Sequence, residues 1–240
     1  MNPIVMSKPV QSALLVVNGN LPREDMLRTL CENAQLIVCT DGAADQLRRV
    51  LSDIMPSVIV GDMDSLEECS CYHNDLFVRI DDQYSTDLEK ALGYLVDKKA
   101  MSVRVVGFSG SRYDHTITNL QVLSSFHDKL DVLLIDDFGY GAFLSYRSTK
   151  SSLVINQEVG TTVSLIPLGR ISGISTEGLE YPLVGETLGW GERSGQSNRM
   201  NESRAVVHLK SDARVEDPSG ALLVYVLPVE FDCSVFAEDS

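Results

Sequence analysis

The first half of this sequence carries a rhythm that narrows its fold more than any other feature: short, nearly uninterrupted apolar runs alternate with helical patterns. Ala13 to Val17, Gln35 to Cys39, Ser57 to Val60, Leu76 to Ile80, Val103 to Val106 and Asp131 to Ile135 read as strands rich in Val, Ile and Leu. Strands without polar alternation suit a parallel sheet, because crossover helices cover both of its faces. Helical stretches lie between most of them: Arg23 to Asn33, Ala43 to Leu51, Asp87 to Lys98 and Tyr113 to His127. Such alternation predicts a parallel sheet with helices on its faces.

From about Gly139 the rhythm changes. Ala142 to Tyr146, Ser151 to Ile155, Thr161 to Ile166, Ala205 to Lys210 and Ala221 to Leu227 are short runs separated by Gly, Ser, Asn and Asp. They predict antiparallel strands in a sandwich or barrel. The expected fold class is therefore α/β, an N-terminal Rossmann-like parallel-sheet domain followed by an all-β sandwich or barrel domain. The expected division is 1–140 and 141–240.

Composition limits the partners. Thirty-four acidic against 20 basic residues give a formal net charge of -14, which argues against nucleic acid and anionic membranes as partners. Five cysteines, Cys31, Cys39, Cys69, Cys71 and Cys233, form no C-x-x-C pair and are odd in number. They indicate neither a disulfide framework nor a zinc site and point to a reducing compartment. Met1 to Val10 lacks the apolar core of a signal peptide, and no stretch approaches the roughly 18 to 20 apolar residues of a membrane span. A cytoplasmic location is the expectation.

Polar residues gather where the strands of an open parallel sheet present their ligand-binding carboxyl ends. Successive strands run into Asn18-Gly19-Asn20, Thr40-Asp41-Gly42-Ala43, Gly61-Asp62-Met63-Asp64-Ser65, Gln83-Tyr84-Ser85-Thr86-Asp87 and Gly107 to Asn119. Asp41-Gly42 alone is adequately explained as a turn. Asp62 and Asp64, two apart behind a buried strand, can converge on a hard cation such as magnesium. Ser65-x-x-Glu68 and Thr86-x-x-Glu89 are candidate capping boxes. Lys90 is placed to pair with Asp87 or to reach a phosphate. Gly107 and Gly110 allow close backbone approach to phosphate, and Arg112 offers a planar fork for phosphate oxygens. His115 and Asn119 share one helix face. The P-loop pattern G-x-x-x-x-G-K-[ST] is absent from the sequence.

In order, these clusters resemble the thiamine pyrophosphokinase family. The resemblance rests on Asp41-Gly42-Ala43, Gly61 to Ser65, Gln83 to Leu92, and Gly107-x-x-Gly110-x-Arg112-x-Asp114-His115-x-x-x-Asn119. Ser175 to Leu183 and Ser197-Asn198 extend it into the second half. It implies an α/β nucleotide domain, then a β-sandwich, in a homodimer with active sites between subunits. It also implies Asp62, Asp64 and Asp87 as magnesium ligands, and Asp41, Gln83, Thr86, Lys90, Arg112 and Asp114 around the ATP triphosphate and the reacting hydroxyl. Ser197 and Asn198 would bind the aminopyrimidine of thiamine. Ser111 departs from the family by standing where a second glycine is frequent. Trp190, the only tryptophan, has two readings: a ring stacked on thiamine, or a core residue of the sandwich.

The implied reaction is attack of the thiamine hydroxyl on the β-phosphorus of ATP, with AMP leaving and Asp114 as candidate to orient or deprotonate that hydroxyl. Rival readings are a pyrophosphokinase for another small alcohol such as a hydroxymethyl pterin, a D-x-D glycosyltransferase, and a nucleotide-binding regulator without catalysis.

Overall fold

The computed structural model describes residues 12–64, 71–110, 112–148, 150–210 and 220–229. The Ser65–Glu68 capping box, Ser111, Cys69, Cys233 and the Met1 to Val10 segment lie outside the described residues. The chain forms two compact units: one runs through Val122 and includes Lys129–Val132, and the other holds Leu123–Asp128 and the described residues from Leu133 onward.

In the first unit, β1 (Ser12–Val16), β2 (Leu36–Thr40), β3 (Val58–Gly61), β4 (Phe77–Arg79) and β5 (Ser102–Val106) pair in the order β5-β1-β2-β3-β4. All four pairings are parallel. The apolar runs are fully used, because every residue of β2 and β3 is buried. Helices α1 (Glu24–Glu32), α2 (Ala43–Val50) and α3 (Asp87–Asp97) lie between the strands. α2 packs on β1 and β2, and α3 on β2 and β3. Helix α4 (Tyr113–Phe126) and β6 (Asp131–Ile135) carry the chain from this unit into the next.

The second unit holds two antiparallel sheets. One runs β6-β7-β14-β9-β12, using β7 (Tyr140–Leu144), β9 (Thr162–Leu168), β12 (Gly195–Arg199) and β14 (Ala221–Leu227). The other runs β11-β10-β13-β8, from β8 (Ser152–Asn156), β10 (Ile171–Glu177), β11 (Glu186–Leu188) and β13 (Arg204–Leu209). A single apolar cluster draws on both, with Leu144, Val163, Leu165 and Val224 from the first and Ile155, Ile174, Leu188 and Val207 from the second.

The predicted strands and helices are present with ends moved by a residue or two, but β10, β11 and β12 were not among those expected. Their sequences explain it. β12 reads Gly-Gln-Ser-Asn-Arg, an edge strand with no apolar residue, and β10 interrupts its apolar positions with Ser, Gly and Thr.

Two neighbouring positions on α3 test this packing. Leu92 is fully buried, so Leu92→Ala should lower stability by about 2–5 kcal/mol, seen as a lower denaturation midpoint at unchanged slope. A Cβ on the adjacent Gly93 meets nothing within 4 Å, so Gly93→Ala should raise stability by about 0.5–1 kcal/mol. Opposite signs are required; two destabilising results would place α3 wrongly.

Candidate active site

Within the first unit the carboxyl ends of β1 to β5 open onto one cavity of about 680 Å³. The strand order reverses between β1 and β5, and the crevice at such a reversal is where open α/β sheets bind ligands.

Gly61, the last residue of β3, makes the acidic cluster sterically possible. A Cβ there would lie 2.8 Å from the Asp41 Cβ and 3.3 Å from the Asp87 carboxyl carbon. Beyond it, Met63 adopts a left-handed φ of 70°, and the Asp64 N–H turns back to donate to Asp62 Oδ1 at 3.4 Å. One carboxylate oxygen each from Asp41, Asp62 and Asp64 then lies within 4.8 Å of the others. This donor set is made only of hard carboxylate oxygens, which fits magnesium and not a soft metal.

Asp87 is the first residue of α3. Thr86 caps that helix, accepting from the Glu89 N–H at 3.2 Å while Glu89 accepts from the Thr86 N–H at 2.7 Å, so this expected capping box is formed. One turn on, the Lys90 ammonium donates to Asp87 Oδ1 at 2.9 Å and stands 3.9 Å from Asp62 Oδ2. Burial opposes the Lys90 charge, but the hydrogen bond to Asp87 and the charges of Asp87, Asp62 and Asp82 outweigh it and raise its pKa. Burial likewise pushes Asp62 up, yet the Asp64 N–H and Lys90 bring its pKa below the ordinary carboxylate value. Gln83 donates to Asp62 Oδ2 at 3.4 Å. Asp82, which sequence reasoning passed over, shapes this loop by accepting from the Tyr84 N–H at 2.9 Å and the Ser85 hydroxyl at 2.6 Å. Its signal was present as an Asp two residues before a backbone N–H in a polar run, the pattern of an Asx turn.

The loop after β5 is held from both sides. Gly107 has a φ of 69°, and a Cβ there would lie 2.1 Å from the Val17 carbonyl oxygen, so this glycine serves loop-to-loop packing. Asn119 donates to the Phe108 carbonyl at 2.9 Å. Arg112 grips Asp114 with both ends of its fork, at 3.1 and 2.5 Å. That hydrogen bonding holds the Asp114 carboxyl down to about 2. His115 and Asn119 both line the cavity, as their shared helix face required.

The thiamine-side candidates fall in the second unit, around a cavity of about 590 Å³ lined by Ser164, Trp190, Ser197 and Tyr225 among others. β12 is irregular where it pairs with β9, and at that point Ser197 takes a φ of 57° and its N–H donates to Ser164 Oγ at 3.0 Å. Trp190 is 71% exposed, which excludes the core reading, and its indole N–H donates to the Pro167 carbonyl at 2.9 Å. Asn198 is buried away from this cavity. Its amide donates to the Tyr181 carbonyl at 2.7 Å and accepts from the Tyr181 and Arg199 N–H groups at 3.1 and 2.8 Å.

The Arg112–Asp114 pair has a definite pH signature. Because the Asp114 value is depressed, the pair is intact above the ordinary carboxylate range and is lost as pH falls through about 2. A carboxyl-carbon NMR titration should place the Asp114 midpoint near 2, and Arg112→Ala should return it to the ordinary range. An unchanged midpoint in that variant would show that Arg112 is not the cause.

Comparison with known proteins agrees with this layout. Residues 27–134 match the family described as "Thiamin pyrophosphokinase, catalytic domain", and residues 150–215 match "Thiamin pyrophosphokinase, vitamin B1 binding domain". Thiamine pyrophosphokinase 3 of Oryza sativa subsp. japonica is 30% identical over 227 residues, covering 84% of this chain and 84% of that protein. Thiamin pyrophosphokinase 1 of Caenorhabditis elegans is 29% identical over 193 residues, covering 77% of this chain and 78% of that one. The solved thiamin pyrophosphokinase from Candida albicans shares the fold, with a TM-score of 0.73 at 19% identity over 91% of this chain and 89% of that chain. On sequence identity and family match together, the chain belongs to the thiamin pyrophosphokinase family.

Proposed function

We propose that this chain transfers the pyrophosphoryl group of ATP to the hydroxyl of thiamine, forming thiamine diphosphate and AMP. The observation that carries the reading is the cluster of Asp41, Asp62, Asp64 and Asp87 around Gly61, with Lys90 beside it, in the cavity of a chain from this family. The match of residues 150–215 to a vitamin B1 binding domain favours thiamine over a pterin as acceptor.

The acidic cluster supplies a place for magnesium, whose charge when bound would neutralise the polyphosphate. Asp62 and Asp64 would hold it, with Asp41 in the same compact set and Asp87 joining once phosphate engages Lys90. Lys90 and Arg112 would contact phosphate oxygens, and Gln83 and Thr86 would border them. The hydroxyl oxygen forms a bond to the β-phosphorus as the bond from that phosphorus to the α,β-bridging oxygen breaks. Alignment and fixed charge do most of this work, since no protein nucleophile is needed. Release of Asp114 from Arg112 by an arriving phosphate would leave a carboxylate to orient the hydroxyl and accept its proton.

In this reading the part over 1–140 is a Rossmann-like ATP and magnesium domain, and the part over 141–240 is a β-sandwich for thiamine binding and dimerisation. Ser197 and Trp190 would contact thiamine, with Asn198 fixing the strand that carries Ser197. A homodimer with active sites at the subunit interface and a cytoplasmic location complete the proposal; no helix among the described residues is long and apolar enough to cross a membrane.

Incubation with ATP, magnesium and thiamine should yield AMP and thiamine diphosphate in equal amounts, with loss on adding EDTA. ADP with thiamine monophosphate would overturn pyrophosphoryl transfer. Asp62→Ala should lower turnover by about a hundredfold or more while the melting temperature stays near that of the unaltered chain. Near-normal turnover in that variant would remove Asp62 from the metal set.

A further inference from the structure

We infer that Asn18 is a further phosphate-binding residue of the first unit's cavity, with Gln46 as the residue that positions it. The inference rests on the reading that this cavity takes the triphosphate of a nucleotide.

Asn18 stands at the cavity's edge just past β1, where the strand order reverses. Its loop is tied to the loop after β5, because the Val17 N–H donates to the Val106 carbonyl at 2.9 Å and the Asn20 N–H to the Ser109 carbonyl at 2.7 Å. Gln46 comes from α2, a helix fixed by the burial of Ala43, Ala44 and Leu47. Its Nε2 donates to Asn18 Oδ1 at 2.6 Å.

That one bond sets the polarity of the site. An asparagine amide has an accepting end and a donating end, so an oxygen occupied by Gln46 leaves the Asn18 NH₂ as the available group. Among the described residues no acceptor takes it. The two cations lining the same cavity are already engaged, Lys90 by Asp87 and Arg112 by Asp114. Five carboxylates, Asp62, Asp64, Asp82, Asp87 and Asp114, line the same cavity, so a fixed neutral donor offers a phosphate oxygen a contact that breaks no ion pair.

The test measures equilibrium binding of magnesium ATP and of inorganic tripolyphosphate, together with steady-state kinetics. Asn18→Ala should weaken both ligands about tenfold, as expected for one lost hydrogen bond to a charged group. It should raise the KM for ATP in parallel and leave the KM for thiamine and kcat within about twofold. Gln46→Glu, which can only accept, should turn the Asn18 amide round and weaken binding at least as much. Gln46→Lys, which can only donate, should keep binding near normal.

In the Asn18→Ala background Gln46→Glu should be nearly silent; if it keeps its full single effect, its charge acts directly and Gln46 does not position Asn18. Binding within twofold of normal in folded Asn18→Ala overturns the inference, as does weakened ATP with unaltered tripolyphosphate. Failure of the unaltered chain to bind either ligand would remove the reading beneath it, which is a distinguishable result.

Discussion

The Lys90 ammonium, on a residue only 6% exposed, sits 2.9 Å from Asp87 and 3.9 Å from Asp62, and the acidic end of the first unit depends on it. Asp41, Asp62, Asp64 and Asp87 meet around one glycine, and like charges at such range raise each other's energy unless a cation stands among them. Lys90 supplies one such charge from within the fold. A single ammonium does not balance four carboxylates, so the cluster retains a negative excess that a divalent cation can relieve. Helix α3 delivers Asp87 and Lys90 together, one turn apart, from a start fixed by the Thr86–Glu89 capping box.

Arg112 and Asp114 form a different kind of pair. Both side chains are well exposed, so water competes for them and their separation is easy compared with that of Lys90 from its partners. An incoming polyphosphate would exchange one anionic partner of Arg112 for another. The loop beneath them is rigid for reasons that involve no ligand: Gly107 packs against Val17, and Asn119 clamps Phe108. The first unit thus combines a firmly held acidic centre with a more readily opened ion pair above a fixed loop.

In the second unit the polar residues divide between exposure and structural duty. The irregular pairing of β12 with β9 puts Ser197 in a left-handed conformation at the cavity wall. Its neighbour Asn198 is turned the other way, and its amide joins β12 to the backbone of Tyr181. Two adjacent residues of one polar dipeptide therefore face different environments, at the point where β12 departs from regular pairing.

Much of the first unit was legible in the sequence. Buried parallel strands leave an unbroken run of Val, Ile and Leu because both faces exclude water, and the polar clusters following those runs coincide with the lining of the cavity. The Thr86 cap and the Lys90–Asp87 pair were legible too, since both are local and helical spacing fixes them. Strand β12 was not, because an edge strand exposed on one side needs no apolar signal. Sequence alone determined which residue types stand at each strand end. Only tertiary structure decided that Asp41 from beyond β2 meets Asp62 and Asp64 from beyond β3, that Gln46 of α2 orients Asn18 beyond β1, and that Asn198 is spent on Tyr181. Those contacts join residues 17 to 28 positions apart in the chain, and their geometry comes from strand order and packing, which no local pattern encodes.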